Sequence, residues 1–391
     1  MKNIIILFLI SFVFCTELFG QALINKVSFD SLVNKAKLTN SSALVIYLDG
    51  ELYYESYSGK RKHKIEAMSS TKSIVSYAIG KLITDGLIQS VDQYVYEFYP
   101  EWSEGVYKEI TLRHLLNHTS GLQNYPNTSV EIYPSKDFVK LALDAEIIEI
   151  PGTTFRYNNK AVNLIAGIVE KASGKKMDIY LRDHLFKPMG ITDFSWTKDK
   201  SGNPHGMSGF QVLPEDMAKL GQLFINKGLW NDEQLINSTW FDEIVKPSES
   251  EPTCGLLWWI IYNKKLAIID DTHIAELKKI GLPDDLLSKL SSLEGIYSDS
   301  DWQKIATTQI LNSPIWKQDY LEILQQKNIS LSRKEYSEPL GYATRGYLGN
   351  NLFVNPEKNL VVVRMITYKE HAKTIDAKGD FSDFFECASK L

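Results

Sequence analysis

The sequence predicts an α/β protein of the α+β kind, a sheet built from both ends of the chain with an all-helical domain inserted between them. Three observations predict it. Strand patterns lie at residues 43–57 and 352–365. Residues 110–245 repeat apolar positions mostly at helical spacing, and a continuous apolar run at 255–262 returns the chain to the sheet. On this reading 23–105 and 255–391 form a split α/β domain and 106–254 the helical domain. With 391 residues, 44% of them apolar, the chain has ample material for a core.

The first segment is apolar from 4 to 14, follows Lys2 and leads to Gly20-Gln21-Ala22. A basic residue, a short apolar stretch and small residues together form the pattern of a secretory signal peptide, here 1–22. The run is too short for a membrane span. The rival reading is a buried N-terminal helix. Phe14 stands before Cys15 where a lipoprotein leader carries a small residue, which argues against lipid attachment. The protein is therefore expected to be exported, periplasmic or secreted, with no stable membrane span after cleavage.

Residues 43–48 and 52–57 flank Asp49-Gly50, a hairpin signal. The apolar run 74–83 reads as a helix ended by Gly86. Thr111 caps a helix that leads to Gly121; 135–143, 161–172 and 177–185 follow as helices, and Pro214 starts another. The run Gly255-Leu256-Leu257-Trp258-Trp259-Ile260-Ile261-Tyr262 reads as a buried central strand, with both tryptophans in packing roles. Residues 264–337 are charged, locally helical and broken by Pro283 and Pro314, which suggests an insertion serving as a lid or accessory subdomain. Two strands joined by a turn at 355–359 and a helix over 381–390 close the chain.

Composition excludes several classes. A net charge of −5 gives no electrostatic case for nucleic acid. Neither the seven histidines nor the cysteines show metal-ligand spacing, so no metal or cofactor is expected. Cys254 and Cys387 remain beyond the leader, either as a pair or as two buried thiols.

The chemistry centres on Ser69-Ser70-Thr71-Lys72. At helical spacing Lys72 falls one turn beyond Ser69 on the same face, so its amine reaches the hydroxyl. A serine becomes a nucleophile when a base takes its proton, and a desolvated lysine can be that base. The bland alternative is that Ser69 is a helix N-cap. Ser-x-x-Lys recurs at Ser173/Lys176 and Ser195/Lys198, but only Ser69 opens a long apolar-periodic segment. A proton shuttle is the second requirement. Tyr157-Asn158-Asn159 supplies a phenol for the lysine to activate and an amide to hold substrate; Tyr125-Pro126-Asn127 has the same spacing.

Together, Ser69-Ser70-Thr71-Lys72-Ser73, the string His114-Leu115-Leu116-Asn117-His118-Thr119-Ser120-Gly121-Leu122 and Pro151-Gly152-Thr153-Thr154-Phe155-Arg156-Tyr157-Asn158-Asn159 resemble the serine β-lactamase-related family. This group holds class C β-lactamases, penicillin-binding D-alanyl-D-alanine carboxypeptidases and related esterases and amidases. The strings 209–221, 255–259 and 196–202 bring the chain nearest the branch with 6-aminohexanoate-dimer hydrolase. The resemblance implies a β-lactamase/transpeptidase-like fold, an antiparallel sheet flanked by N- and C-terminal helices. It favours Ser69 over the other serines and Tyr157, with its Pro-Gly lead-in, over Tyr125. It implies Ser69 as nucleophile, Lys72 and Tyr157 as proton carriers, and Asn159 as a substrate contact. The family's third motif, Lys/His-x-Gly, aligns with Thr344-Arg345-Gly346, which are expected to touch substrate. The backbone N–H groups of Ser69 and Tyr347 would form the oxyanion hole. Threonine at 344 removes the cation that holds the carboxylate of penicillin-like substrates. The resemblance also makes the histidine string structural.

The function expected is an exported serine hydrolase acting on a small ester, amide or peptide. The alternatives are a D-alanyl-D-alanine carboxypeptidase or β-lactamase, and, in another class, an acylatable sensor without turnover. The sequence does not set the oligomeric state.

Overall fold

The computed structural model describes residues 24–59, 61–310, 312, 330–373 and 381–391. The expected signal peptide and Cys15 lie outside the described residues. Six antiparallel strands form the main sheet, in the order Glu51–Tyr57, Ala43–Leu48, Leu360–Met365, Asn350–Asn355, Pro339–Gly346 and Trp259–Tyr262. Both ends of the chain therefore contribute neighbouring strands, as the pattern at 43–57 and 352–365 predicts. Asp49 and Gly50 take left-handed φ values of 52° and 81°, the geometry a two-residue hairpin turn demands.

One face of the sheet is covered by the helices Lys26–Leu38 and Phe384–Ser389, through Leu32, Ala36, Phe384 and Ala388. These are the N- and C-terminal helices that the resemblance implies, although no local pattern marks the bounds of the first. The other face packs on a larger core that joins sheet and helices through Val45, Ile79, Leu164, Leu220, Val354 and Val363. The helix Thr71–Thr84 runs through that core, with Ile74, Val75, Ala78 and Ile79 all fully buried. Burial on nearly every side explains why its apolar residues are spread around the helix rather than confined to one stripe.

The run 255–262 departs from expectation. Only Trp259–Tyr262 is strand, and it is the edge strand of the sheet, paired with Pro339–Gly346 alone within it. Leu257 has φ 64°, which no continuous strand allows. Gly255 lies so close to the Ile244 carbonyl that a Cβ would sit 2.1 Å from its oxygen. The run is apolar because Leu256, Leu257 and Trp258 plug into the helical core, not because it crosses the middle of the sheet.

Residues 265–336 include a second, three-stranded sheet of Gly295–Ser298, Lys265–Ile269 and Arg333–Tyr336. They pack on their own core, including Ile269, Leu277, Leu286, Leu290 and Trp302. The chain enters and leaves this unit where the edge pair ends at Tyr262 and Pro339, opposite the Trp259 and Gly346 end. Among the described residues no helix is long and apolar enough to cross a membrane.

Gly80 offers a test of the packing. A Cβ there would lie 2.4 Å from the indole of Trp240, itself 4% exposed. Helix propensity favours Gly80→Ala by about 1 kcal/mol, whereas forcing a methyl against a trapped ring costs about 1–3 kcal/mol. Gly80→Ala is therefore expected to lower the urea midpoint with an unchanged slope; a raised midpoint would show that Trp240 can yield.

Candidate active site

Ser69 sits in the 3₁₀ turn Met68–Ser70, immediately before the helix Thr71–Thr84. It does not cap that helix; Ser70 holds the cap position and makes no side-chain capping bond. Lys72 Nζ instead donates to Ser69 Oγ at 3.2 Å and to the Met207 carbonyl at 2.7 Å. The same nitrogen stands 4.8 Å from the centroid of the Tyr157 ring. Lys72 is 3% exposed, and no carboxylate among the described residues pairs with it. Burial pulls its pKa below the ordinary lysine value, and the neighbouring Tyr157 hydroxyl opposes that shift without cancelling it. A desolvated amine without a counter-charge favours its neutral, proton-accepting form.

The other Ser-x-x-Lys pairs do different work. Ser173 Oγ donates to the Val169 carbonyl at a helix end, and Lys176 pairs with Glu170. Ser195 lies in a short strand, and Lys198 pairs with Asp178.

Tyr157 reaches the site through two strings of sequence that clasp each other. The Gly152 N–H donates to the Thr119 carbonyl, and the Arg156 N–H donates to the His118 carbonyl at 2.8 Å. The Asn158 N–H donates to His118 Nδ1 at 3.2 Å. Asn158 then caps the helix Asn159–Ser173 by accepting from the Ala161 N–H, while its own amide donates to the Leu122 carbonyl. The loop is thus fixed on both sides of Tyr157, whose ring lies 4.7 Å from that of His118. Tyr125 is an exposed residue of another loop and is not among the cleft-lining residues.

The structure gives His118 a place that the sequence reading did not. It lines the cleft with Ser69, Lys72, Tyr157, Cys254, Leu257 and Trp259. Burial, assisted by the charge of Lys72, pushes its pKa down to about 3, so the ring stays neutral. Its Nδ1 accepts a hydrogen bond, which leaves the proton on Nε2. His114 is structural, its Nδ1 accepting from the Thr111 N–H to close a helix cap.

The three residues of the third motif lie in different surroundings. Thr344 is fully buried, and its hydroxyl donates to Ser70 Oγ at 2.8 Å, which in turn donates to the Asn350 carbonyl. It braces the residue after Ser69 and does not face the cleft. Arg345 points to the opposite face, its guanidinium stacked 5.2 Å from Trp259 and 5.0 Å from Phe385. Alternation along a strand explains both orientations. At Gly346 the backbone comes close to its neighbour, since a Cβ there would meet the Ala67 carbonyl at 2.4 Å. The end of that strand, and Tyr347 after it, thereby lie against the turn that carries Ser69. Asn159 donates its backbone N–H to Asn124 Oδ1 and is not among the cleft-lining residues.

Four residues at or beside the site hold left-handed backbone that their side chains disfavour: Met68 (φ 53°), His118 (61°), Leu257 (64°) and Leu348 (67°). Met68 and Leu348 flank Ser69 and Tyr347 and pack on each other with Ile366. Each such residue costs about 1–3 kcal/mol and persists only where packing enforces it. No local sequence signal announces them, because Asn and Gly are the usual occupants of such positions. Cys254 and Cys387 are both buried free thiols; burial pushes the Cys254 thiol up to about 12. Among the described residues no group of three or more His, Cys, Asp or Glu is placed to hold a metal ion.

A family model described as Beta-lactamase matches residues 29–380. A Bacillus subtilis (strain 168) protein, described as a candidate penicillin-binding protein PbpX, is 29% identical over 185 residues. That match covers 44% of this chain and 45% of the relative, so the chain spans about half of that protein's length. A solved Bacillus anthracis structure, described as a candidate 6-aminohexanoate-dimer hydrolase, superposes with TM-score 0.61 at 15% identity, over 92% of this chain and 81% of the other. A penicillin-binding protein from Bacillus halodurans gives TM-score 0.56 at 17% identity, over 88% and 98% of the two chains. These superpositions establish the fold.

His118 makes acid sensitivity predictable. The unfolded ring takes a proton near the ordinary value of 6.5, the folded one only near 3, so between these the unfolded state binds more protons. Stability should fall as pH drops through that window, by about 1.4 kcal/mol per unit. His118→Asn keeps a side chain that tolerates left-handed backbone and removes the titration. Urea midpoints measured from pH 7 to pH 4 should decline less steeply in the variant; equal slopes would place the acid sensitivity elsewhere.

Proposed function

The chain belongs to the beta-lactamase family, a family of serine hydrolases, and on that footing we propose that it forms an acyl-enzyme on Ser69 and cleaves a small ester or amide. The observation that carries the reading is the enclosed Lys72 amine, 3.2 Å from Ser69 Oγ and without a carboxylate partner among the described residues. Neutral Lys72 takes the proton of Ser69 as Oγ bonds to the substrate carbonyl carbon. The Ser69 and Tyr347 N–H groups receive the oxyanion. Tyr157, beside Lys72, passes a proton to the leaving oxygen or nitrogen as its bond to carbon breaks. Water then adds to the acyl carbon on Ser69, its proton passing through the same groups to Oγ as the carbon–Oγ bond breaks, so the acyl group leaves as a carboxylic acid and the serine is restored.

The orientations of Thr344 and Arg345 weigh on the substrate class. Neither offers a cation to a substrate carboxylate in the cleft, the first being buried against Ser70 and the second stacked on Trp259 and Phe385. An uncharged ester or amide therefore suits the site better than a penicillin or a D-alanyl-D-alanine peptide. The pattern of residues 1–22 adds the proposal that the enzyme works outside the cytoplasm.

A fluorophosphonate probe should label the wild type and not Ser69→Ala. Turnover of p-nitrophenyl acyl esters should exceed that of nitrocefin and of a D-alanyl-D-alanine peptide by roughly tenfold to hundredfold, the worth of one missing charged hydrogen bond. Equal labelling of Ser69→Ala would overturn the nucleophile, and faster nitrocefin turnover would overturn the substrate class. Labelling with no turnover of any substrate would favour the sensor.

A further inference from the structure

Lys72 owes its position partly to a residue in no motif. Asn163 lies on the helix Asn159–Ser173, is 2% exposed, and faces the segment 205–207. Its Oδ1 accepts from the Gly206 N–H at 2.9 Å and from the Met207 N–H at 3.0 Å. The Met207 carbonyl in turn accepts from Lys72 Nζ at 2.7 Å, a shorter bond than the one to Ser69 Oγ at 3.2 Å. Gly206 lets this segment lie directly on the helix, where a Cβ would meet the Val162 carbonyl at 2.2 Å.

We propose that Asn163 is a positioning residue, which clamps the backbone of Gly206 and Met207 so that the Met207 carbonyl aims the Lys72 amine at Ser69. The proposal rests on the acylation reading above. The amide is the right group for this task. Among the described residues Asn163 Nδ2 is buried with no protein hydrogen-bond partner, an arrangement that costs about 1–3 kcal/mol. A carboxylate at that position would accept the same two N–H bonds without the orphan donor. It would also hold Lys72 as an ammonium, which is the form that cannot accept the serine proton. A neutral clamp fixes the geometry and leaves the amine free to be a base.

The titratable groups around Lys72 come from other segments: Tyr157 from the loop before the helix, His118 from the clasped turn, and Cys254 from the loop before the edge strand. His118 stays neutral above about pH 3 and Cys254 stays protonated below about pH 12. Between those limits neither changes charge, and the acid limb of acylation belongs to the lysine, whose pKa burial lowers.

The test measures the pH dependence of fluorophosphonate labelling in the wild type, Asn163→Ala, Asn163→Asp and Ser69→Ala, with circular dichroism to check folding. Asn163→Ala releases the Met207 carbonyl, an acceptor that favours the ammonium. Its acid limb should move to lower pH, and its maximal rate should fall about tenfold to hundredfold through misplacement of the amine. Asn163→Asp keeps the clamp and adds negative charge, so its limb should move to higher pH by about one to two units. A fold role alone moves neither limb. Ser69-dependent labelling with both limbs unmoved, or both moved in the same direction, overturns this inference and leaves the nucleophile standing. Undiminished labelling of Ser69→Ala overturns both. Should Asn163→Ala not fold, the near-isosteric Asn163→Asp decides alone, since an unmoved limb there contradicts the neutral clamp.

Discussion

An amine shut away from water, with no counter-charge paired to it among the described residues, is the interaction that the rest of the site depends on. A buried ammonium ordinarily requires a carboxylate, because desolvation costs several kcal/mol. Lys72 has a carbonyl, a hydroxyl and an aromatic face instead. Lys160, on the helix behind it, shows the contrast: equally buried, it pairs with Glu131 and Gln123 and anchors a loop. The two lysines divide along a physical line. The paired one holds structure, and the unpaired one has its pKa pushed toward use as a base.

The surroundings serve this arrangement at a cost in backbone strain. Met68 and Leu348, both left-handed, lean on each other beside the two residues whose N–H groups would meet an oxyanion. Thr344, Ser70 and the Asn350 carbonyl form a chain of hydrogen bonds that joins the sheet to the serine turn. His118 and Asn158 hold the Tyr157 loop from either side. Packing of helix, sheet and loop therefore determines the geometry of three side chains that no single element could place.

Sequence patterns reveal elements whose cause is local. The Asp49-Gly50 hairpin, the Thr111 cap, the Pro214 helix start and the Gly86 stop each follow from the conformational limits of a few residues. Ser69 and Lys72 are legible because they stand about one turn apart along the chain. Other features depend on distant partners. The run at 255–262 looks like a central strand, since apolar periodicity does not reveal whether a residue plugs a helix bundle or crosses a sheet. His118 reads as part of a turn, because its contact with Tyr157 joins residues 39 apart in a chain whose folding brings two loops together. Asn163 carries no signal, as its work is done through the backbone of residues 206 and 207.

Direct titration of Lys72 is the most incisive measurement. Lysine side chains labelled at Cε can be followed by NMR from pH 6 to pH 12, with Lys72→Arg identifying the resonance. Lys72 is predicted to lose its proton at lower pH than the lysines of an unstructured reference peptide, for which the ordinary value is 10.5. Titration of Lys72 at the same pH as those lysines would contradict the account, for the amine would then be an ammonium at working pH and Ser69 would lack its base.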